Sequence, residues 1–95
     1  MSTPEPLSIA HRPEASRFEA SFDGGLGLCV YRREGDLLLL THTVVPAALE
    51  GRGIAAALVR ATLDEARREG LRVRPLCSDV AAYMRRHPET QDLLA

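Results

Sequence analysis

The chain has 95 residues, of which 45% are hydrophobic and 4% aromatic, and it contains no Trp. This length predicts one domain over residues 1–95, with a single modest core built mainly from Leu, Val, Ala and Ile. All 12 basic residues are Arg, and 13 acidic residues bring the formal net charge to -1. With no basic field and few aromatic side chains for base stacking, the composition argues against a nucleic-acid partner.

Targeting and metal-binding signals are weak. Residues 1–6 hold two prolines and little apolar material, which predicts a flexible terminus. The longest aliphatic run, residues 37–40, is too short for a signal sequence or a membrane span, so we expect a cytoplasmic location and no membrane partner. Cys29 and Cys77 lie far apart in the sequence and show no metal-ligand spacing. We therefore interpret both as reduced thiols and expect no metal.

Alternation of apolar and polar residues predicts half-buried strands at the start of the chain. A short strand is expected at residues 7–12. Residues 17–22 alternate strictly, and one face of that strand would carry Phe18, Ala20 and Phe22.

Two turn signals divide the next stretch into a meander. Asp23-Gly24-Gly25 favours a hairpin turn, and residues 26–33 then alternate through Leu28 and Val30. Cys29, on the other side of that alternation, is nevertheless interpreted as a core residue. A second turn at residues 34–36 leads to residues 37–45, which are apolar on both faces at their start. This third strand is expected to be the central strand of the sheet.

The second half predicts two helices and one more strand. Apolar residues at helical spacing begin at Ile54, and Gly70 ends that helix as a C-terminal cap; its apolar face comprises Ile54, Ala55, Leu58, Val59, Thr62, Leu63 and Ala66. Residues 71–76 should form a strand parallel to 37–45, because a β-α-β crossover joins them. Ser78 and Asp79 are expected to cap a short helix at 80–86, and a last helical turn is expected at 90–94. The fold class is therefore α/β (α+β).

The junction before the first helix is the strongest functional signal. No Ser, Thr, Asp or Asn precedes Ile54 to accept the free backbone N–H groups of the helix start. Gly51 and Gly53 leave the backbone bare and free to adopt unusual dihedrals. A diphosphate can approach such N–H groups and the positive end of the helix dipole. The junction therefore predicts an anion-binding cradle, although a tight strand-to-helix turn explains the same glycines.

Three phosphate-binding patterns compete for this loop. A P-loop requires Lys, which the chain lacks. The dinucleotide fingerprint is met formally by Gly51, Gly53 and Ala56, but the position about 20 residues on holds no acidic residue for the ribose. The preceding strands are also hairpins rather than β-α-β units, which argues against a nicotinamide enzyme.

The third pattern is the pyrophosphate loop of the GNAT N-acetyltransferase superfamily, [QR]-x-x-G-x-[GA]. Residues 50–55, E-G-R-G-I-A, resemble it except at the first position, where Glu50 replaces Gln or Arg. The preceding T-H-T-V-V-P and the later R-V-R-P-L-C-S-D-V-A-A-Y-M-R-R-H-P-E are also similar to the family. In particular, the chain resembles a minimal subgroup that carries L-E-G-R-G and a terminal R-H-P-E.

The resemblance implies a reduced acyl-CoA N-acyltransferase-like fold without the substrate-side helices of larger relatives. Acetyl-CoA would lie in a V-shaped gap between two parallel strands, with the acceptor side open. The implied contacts to the pantetheine arm come from Thr43, Val44 and Val45. The implied contacts to the pyrophosphate come from Gly51, Arg52, Gly53, Ile54, Ala55 and Ala56. For Arg52, a solvated turn residue is the alternative.

Three side chains are candidates for the chemistry. Cys77 falls near the implied thioester, where a Cys at a helix start can act as a nucleophile, or it is simply buried. Tyr83 matches the Tyr that many GNAT enzymes use as a general acid toward the departing thiolate, or it is a packing residue. His42 is a possible base, or a structural histidine. Val44 stands where the subgroup often has Glu, so the sequence names no acidic base.

The expected function is an acetyl-CoA-dependent N-acetyltransferase that moves the acetyl group to an amine by direct attack. The alternative is a non-catalytic CoA-binding or protein-interaction module of the same fold. The acceptor can be a protein amine or a small molecule, and the sequence does not indicate the oligomeric state.

Overall fold

The structure is a computed structural model that describes residues 8–22 and 24–95. The predicted flexible terminus, Leu7 and Asp23 lie outside the described residues. The strands are β1 Ser8–Arg12, β2 Arg17–Phe22, β3 Gly25–Glu34, β4 Leu37–Val44 and β5 Arg72–Pro75. The α-helices are α1 Ile54–Glu69 and α2 Ser78–Arg86, and 3-10 turns occupy Pro13–Ala15, Ala47–Leu49 and Pro88–Leu93.

The five strands form one mixed sheet in the order β1-β2-β3-β4-β5. Strands β1 to β4 are antiparallel neighbours, and β5 lies parallel to β4 after the α1 crossover. These pairings confirm the predicted meander and crossover. The prediction that the third strand is central is wrong: the middle position belongs to β3, because the crossover adds a single strand beyond β4 while two precede β3.

Helix α1 covers one face of the sheet, which we call the inner face; the opposite face is the outer face. The helix buries nearly the whole predicted stripe, Ile54, Leu58, Val59, Thr62, Leu63 and Ala66, and Ala55 is half-buried. Gly70 ends it in the left-handed conformation, with its N–H bonded to the carbonyls of Ala66 and Arg67. The predicted helix and its C-terminal cap are thus confirmed.

Strand β3 presents the opposite face from the one predicted. Cys29 and Tyr31 are buried in the core, whereas Leu28 and Val30 point outward and are half-buried. The register explains this, because Cys29 pairs with the inward-facing Phe18. The inner position next to them is Gly27, where an added Cβ would lie 3.1 Å from Leu58 Cδ1. A glycine at that point lets α1 approach the sheet closely.

Helix α2 begins earlier than predicted and without a side-chain cap. Its cap position is Cys77, and no side chain hydrogen-bonds to the free N–H groups there. Ser78 and Asp79 lie inside the first turn, so the prediction that they cap the helix is wrong. The last residues return to the sheet, where Leu94 bridges Val73 in parallel.

The ends of α1 and the final 3-10 turn are tied together at the surface by Arg67, which lies 2.7 Å from Asp92. No helix within the described ranges is long and apolar enough to cross a membrane.

Candidate functional site

The parallel strands β4 and β5 part in the middle of β4. Their pairing ends at Leu40 and Pro75. The Leu40 carbonyl then accepts hydrogen bonds from the N–H groups of Leu76 at 3.1 Å and Cys77 at 3.0 Å, and the chain turns into α2. Strand β4 continues to Val44, paired to β3 alone. A V-shaped gap therefore opens beside the second half of β4.

A β-bulge lies where the gap begins. Val30 pairs with His42 and Tyr31 with Leu40, so Thr41 is an extra residue in β4. Its hydroxyl donates to the Val30 carbonyl at 3.2 Å. The extra residue reverses the alternation of side chains, which puts Thr43 on the inner face and His42 on the outer face. Nothing in the sequence T-H-T indicates this bulge.

The backbone before α1 has the unusual glycine dihedrals and the uncapped N–H groups expected from the sequence. Gly51 and Gly53 have φ of 81° and 74°, which a side chain would disfavour. The first intrahelical bond runs from Ala57 N–H to the Gly53 carbonyl. The N–H groups of residues 53–56 therefore have no acceptor within the helix, and no side chain caps them.

Space around the loop is open. An added Cβ at Gly51 or Gly53 would meet no atom within 4 Å. Glycine is therefore favoured at these positions by the positive φ angles and not by close packing. The Arg52 guanidinium lies over the Phe22 ring, 5.2 Å from its centroid. This cation-π contact holds Arg52 against the sheet beside the loop, which argues against the alternative of a merely solvated turn residue.

A narrow cavity of about 100 Å³ continues from the helix start between α1 and α2. Small side chains form much of its wall, and Arg86 supplies a cation; its lining comprises Ala55, Ala56, Val59, Asp79, Ala82, Tyr83 and Arg86. Asp79, Ala82 and Arg86 reach this place through the packing of α2 on α1, which no local pattern in the sequence reports.

The two thiols lie on either side of one hydroxyl. Thr43 Oγ1 is 3.6 Å from Cys77 Sγ and 4.0 Å from Cys29 Sγ. Cys29 is completely buried, which confirms it as a core residue, and burial raises the pKa of its thiol. Cys77 is half-buried at the base of the gap, and both cysteines are free. The structure thus brings Thr43 and Cys77 together.

Tyr83 lies between α2 and α1. Its side chain is buried, and burial raises the pKa of the phenol, an effect that the nearby Arg60 opposes and Asp64 reinforces. The ring stacks on His87 with centroids 3.9 Å apart. His87 Nδ1 is 2.8 Å from the Tyr83 carbonyl, so His87 caps the end of α2.

His42 stands apart from these groups. Its side chain is exposed on the outer face, with Nδ1 3.1 Å from Thr41 Oγ1. Val44 is exposed on the same face, and Val45 is half-buried. The site therefore has two sides: thiols and Thr43 on the inner side of the gap, and His42 and Val44 on the outer side.

Within residues 8–22 and 24–95, no group of three or more His, Cys, Asp or Glu side chains is placed to hold a metal ion.

Comparison with known families supplies the assignment. The model of a family described as GCN5-related N-acetyl-transferase matches residues 17–93, which include β2 to β5 and both α-helices. The chain belongs to this family. The match supports an acetyltransferase-type function for this GNAT chain, and it confirms the superfamily expected from the sequence.

Two relatives and one solved structure extend the comparison. Protein NATD1 of Homo sapiens and protein NATD1 of Mus musculus are each 31% identical to this GNAT chain over 91 residues, or 93% of its length. The matched region covers 80% of the Homo sapiens protein and 83% of the Mus musculus protein. An NMR structure of a GCN5-like putative N-acetyltransferase from Staphylococcus aureus has a TM-score of 0.75 at 23% identity, covering 96% of this chain and 90% of that one. That likeness confirms the GNAT acyltransferase fold, an α+β arrangement.

Proposed function

We propose that this chain is an acetyl-CoA-dependent N-acetyltransferase that transfers the acetyl group to an amine by direct attack. One observation carries the proposal: the gap beside β4 leads through residues 45–53 to a helix start whose N–H groups lack acceptors. A long ligand with an extended amide arm and a diphosphate matches the two parts of this site together. A ligand with only one of these features would use half of it.

The pantetheine arm would pair with the unpaired edge of β4 through backbone groups of Thr43, Val44 and Val45. The pyrophosphate would lie on the cradle, where the helix dipole and the free N–H groups favour negative charge. Its contacts would come from Gly51, Arg52, Gly53, Ile54, Ala55 and Ala56. The open surroundings of Gly51 and Gly53 leave room for such a group.

Acetyl-CoA would supply the activated thioester, and the chain's own groups would position it and move protons. Tyr83 would act as the general acid toward the departing sulfur, because a tyrosine phenol is protonated at neutral pH and burial raises its pKa further. His42, on the outer side of the gap, would accept a proton from the incoming amine. Cys77 would help to shape the base of the gap and would not carry the acetyl group.

The second candidate keeps the binding site and lacks the chemistry. Val44 is exposed beside the gap and offers no proton acceptor, so the proposed mechanism assigns removal of the amine proton to His42. If His42 does not accept the amine proton, the chain would be a CoA-binding or protein-interaction module.

Thermal unfolding and a thiol-release assay test the proposal. CoA and acetyl-CoA should raise the melting temperature, since a ligand at about 100 times its Kd adds roughly 2.7 kcal/mol to stability. NADP should not. Amine-dependent release of CoA from acetyl-CoA would establish the enzyme, and CoA binding without it would favour the module. A shift with NADP and none with CoA would overturn both.

A further inference from the structure

The outer face of the sheet is apolar around the gap. Leu26, Val44 and Leu76 are the large apolar side chains most exposed in the described chain, at 44%, 52% and 58%. Register puts them on one face, because Leu28 pairs with Val44 and lies two residues from Leu26. Leu76 follows the last paired residue of β5 and lies two residues beyond Arg74, which pairs with Leu39, an outward-facing but buried residue. An apolar surface therefore borders both sides of the gap.

This face has no helix of the described chain upon it. The apolar side chains of α1 belong to the inner core together with Leu38 and Leu40, and so do Val80 and Met84 of α2. The inner side of the gap is lined by the half-buried Thr43 and Cys77, with the buried Cys29 and the same core behind them. A second substrate would therefore reach the gap from the outer face.

On the described strands of the outer face, acidic side chains are paired with arginines, whereas one arginine has no such partner. Glu19 is held by Arg17 at 2.8 Å, and Glu34 by Arg32 at 2.8 Å. Arg74 is exposed and makes no ion pair or side-chain hydrogen bond within residues 8–22 and 24–95. It lies one residue before the end of the β4–β5 pairing, beside the mouth of the gap. The mouth thus carries an exposed cation, whereas Glu19 and Glu34, on the described strands of this face, are both paired with arginines.

We propose that the acceptor is an amine that also carries a carboxylate and an apolar side chain, the chemistry of a free hydrophobic α-amino acid. This inference rests on the proposed acetyltransferase function. Arg74 would bind the carboxylate through a charge-assisted hydrogen bond, and the apolar side chain would lie against Leu76 and Val44. The amine would then face the gap.

The transfer balances without a further reagent. The amine nitrogen forms a bond to the acetyl carbon, the carbon–sulfur bond breaks, the amine loses a proton, and CoA leaves as the thiol. A polyamine is disfavoured, because its additional cations would meet Arg74, and Glu19 and Glu34 on the described strands of this face are already paired with arginines.

A thiol-release assay with acetyl-CoA and four amines tests whether the acceptor needs both a carboxylate and an apolar side chain. The amines are leucine, leucinamide, glycine and spermidine. Leucinamide lacks the carboxylate, and its less basic amine would favour it if the carboxylate were irrelevant. Wild-type protein should prefer leucine to the other three. Arg74→Gln should lower kcat/KM for leucine roughly ten- to hundredfold and leave leucinamide unchanged.

Arg32→Gln is the matched control, because Arg32 flanks Leu39 on the same face from the opposite strand. It should keep the preference for leucine. Equilibrium binding of leucine to the CoA complex, measured by calorimetry, separates this inference from the proposed function. Arg74-dependent leucine binding without turnover would support the acceptor surface and overturn the enzyme. The proposed acceptor class would be overturned by turnover of spermidine or leucinamide that is the same in wild-type protein and Arg74→Gln. It would also be overturned if leucine binding did not depend on Arg74.

Discussion

The Thr43 hydroxyl lies 3.6 Å from the Cys77 sulfur, at the base of the gap between β4 and β5. Cys77 is held there by its own backbone N–H, which donates to the Leu40 carbonyl at 3.0 Å. The sulfur is therefore fixed near the place proposed for the thioester. This short distance alone does not make the Cys77 sulfur a nucleophile. In the direct mechanism the amine attacks the thioester, and Cys77 forms no bond to the acetyl group.

Cys77→Ala should retain measurable acetyl transfer, because in the direct mechanism the acetyl group never resides on the protein. Intact-mass spectrometry after incubation with acetyl-CoA alone should show no adduct on Cys77. The chain contains no Lys, so the α-amine is the main background site for acetylation. An acetylated Cys77 that an amine then discharges, together with ping-pong kinetics, would establish the covalent route instead.

The two thiols should differ sharply in reactivity. Cys29 is completely buried, and burial raises the pKa of its thiol, so both the access and the thiolate that a disulfide reagent needs are lacking. Native protein treated with a chromogenic disulfide reagent near pH 8 should release one equivalent, from Cys77, and unfolded protein two. Native Cys77→Ala should release almost none. Rapid reaction of both thiols in the native protein would contradict the buried position of Cys29.

Gly53→Glu tests the cradle. Gly53 has φ of 74°, and an added side chain would find open space, so the substitution costs about 1–2 kcal/mol of backbone strain without a clash. It also introduces negative charge at the proposed diphosphate position. CoA affinity, measured by calorimetry, should fall at least tenfold.

Gly35→Glu provides the matched control for that experiment. Gly35 has φ of 60°, equally open surroundings, and a position in the β3–β4 turn. It should lose similar stability and keep wild-type affinity for CoA. If folded Gly53→Glu also kept that affinity, the cradle would lie elsewhere.

Gly27→Ala should loosen the contact between α1 and the sheet. Its Cβ would lie 3.1 Å from Leu58 Cδ1 and 3.2 Å from Ile54 Cγ2, closer than ordinary contact. We expect a loss of about 1–3 kcal/mol in the free energy of unfolding, measured by urea denaturation. Leu58→Val removes the nearer atom, so the two substitutions together should cost less than the sum of each alone. Strict additivity would show that the contact is absent.

Local patterns in the sequence were sufficient to predict the secondary-structure elements and the glycine conformations of the loop. The spacing from Ile54 to Ala66 fixes the buried face of α1, and the glycines at 51 and 53 have the positive φ that their position suggested. Such features depend on neighbours in the chain, which is why alternation, periodicity and turn residues report them.

Long-range packing decided what the sequence analysis missed. The bulge at Thr41 arises from pairing between β3 and β4, and it decides which side chains face the gap. The outward turn of Leu28 and Val30 follows from the register with β2 and the space that Gly27 leaves for α1. Apolar content on both faces of β3 made the sequence alone ambiguous.

The last prediction concerns Tyr83, whose hydroxyl group is the proposed proton donor. Tyr83→Phe keeps the ring that stacks on His87, so the fold and CoA binding should change little. Turnover with a productive amine should fall about 10²-fold, the lower range for loss of a general acid. The decrease should appear in kcat and kcat/KM together, because the interaction is made in the transition state.

His87→Gln supplies the comparison, since it removes the stacked ring and can retain a hydrogen bond to the Tyr83 carbonyl. A purely structural role for this pair predicts that both variants lose stability and activity in parallel. A general-acid role predicts that Tyr83→Phe loses turnover at nearly unchanged melting temperature. Because burial raises the pKa of the phenol, loss of its proton should limit the wild-type rate only at high pH. That alkaline limb of the pH profile of kcat should disappear in Tyr83→Phe, and its persistence there would assign the proton to another group.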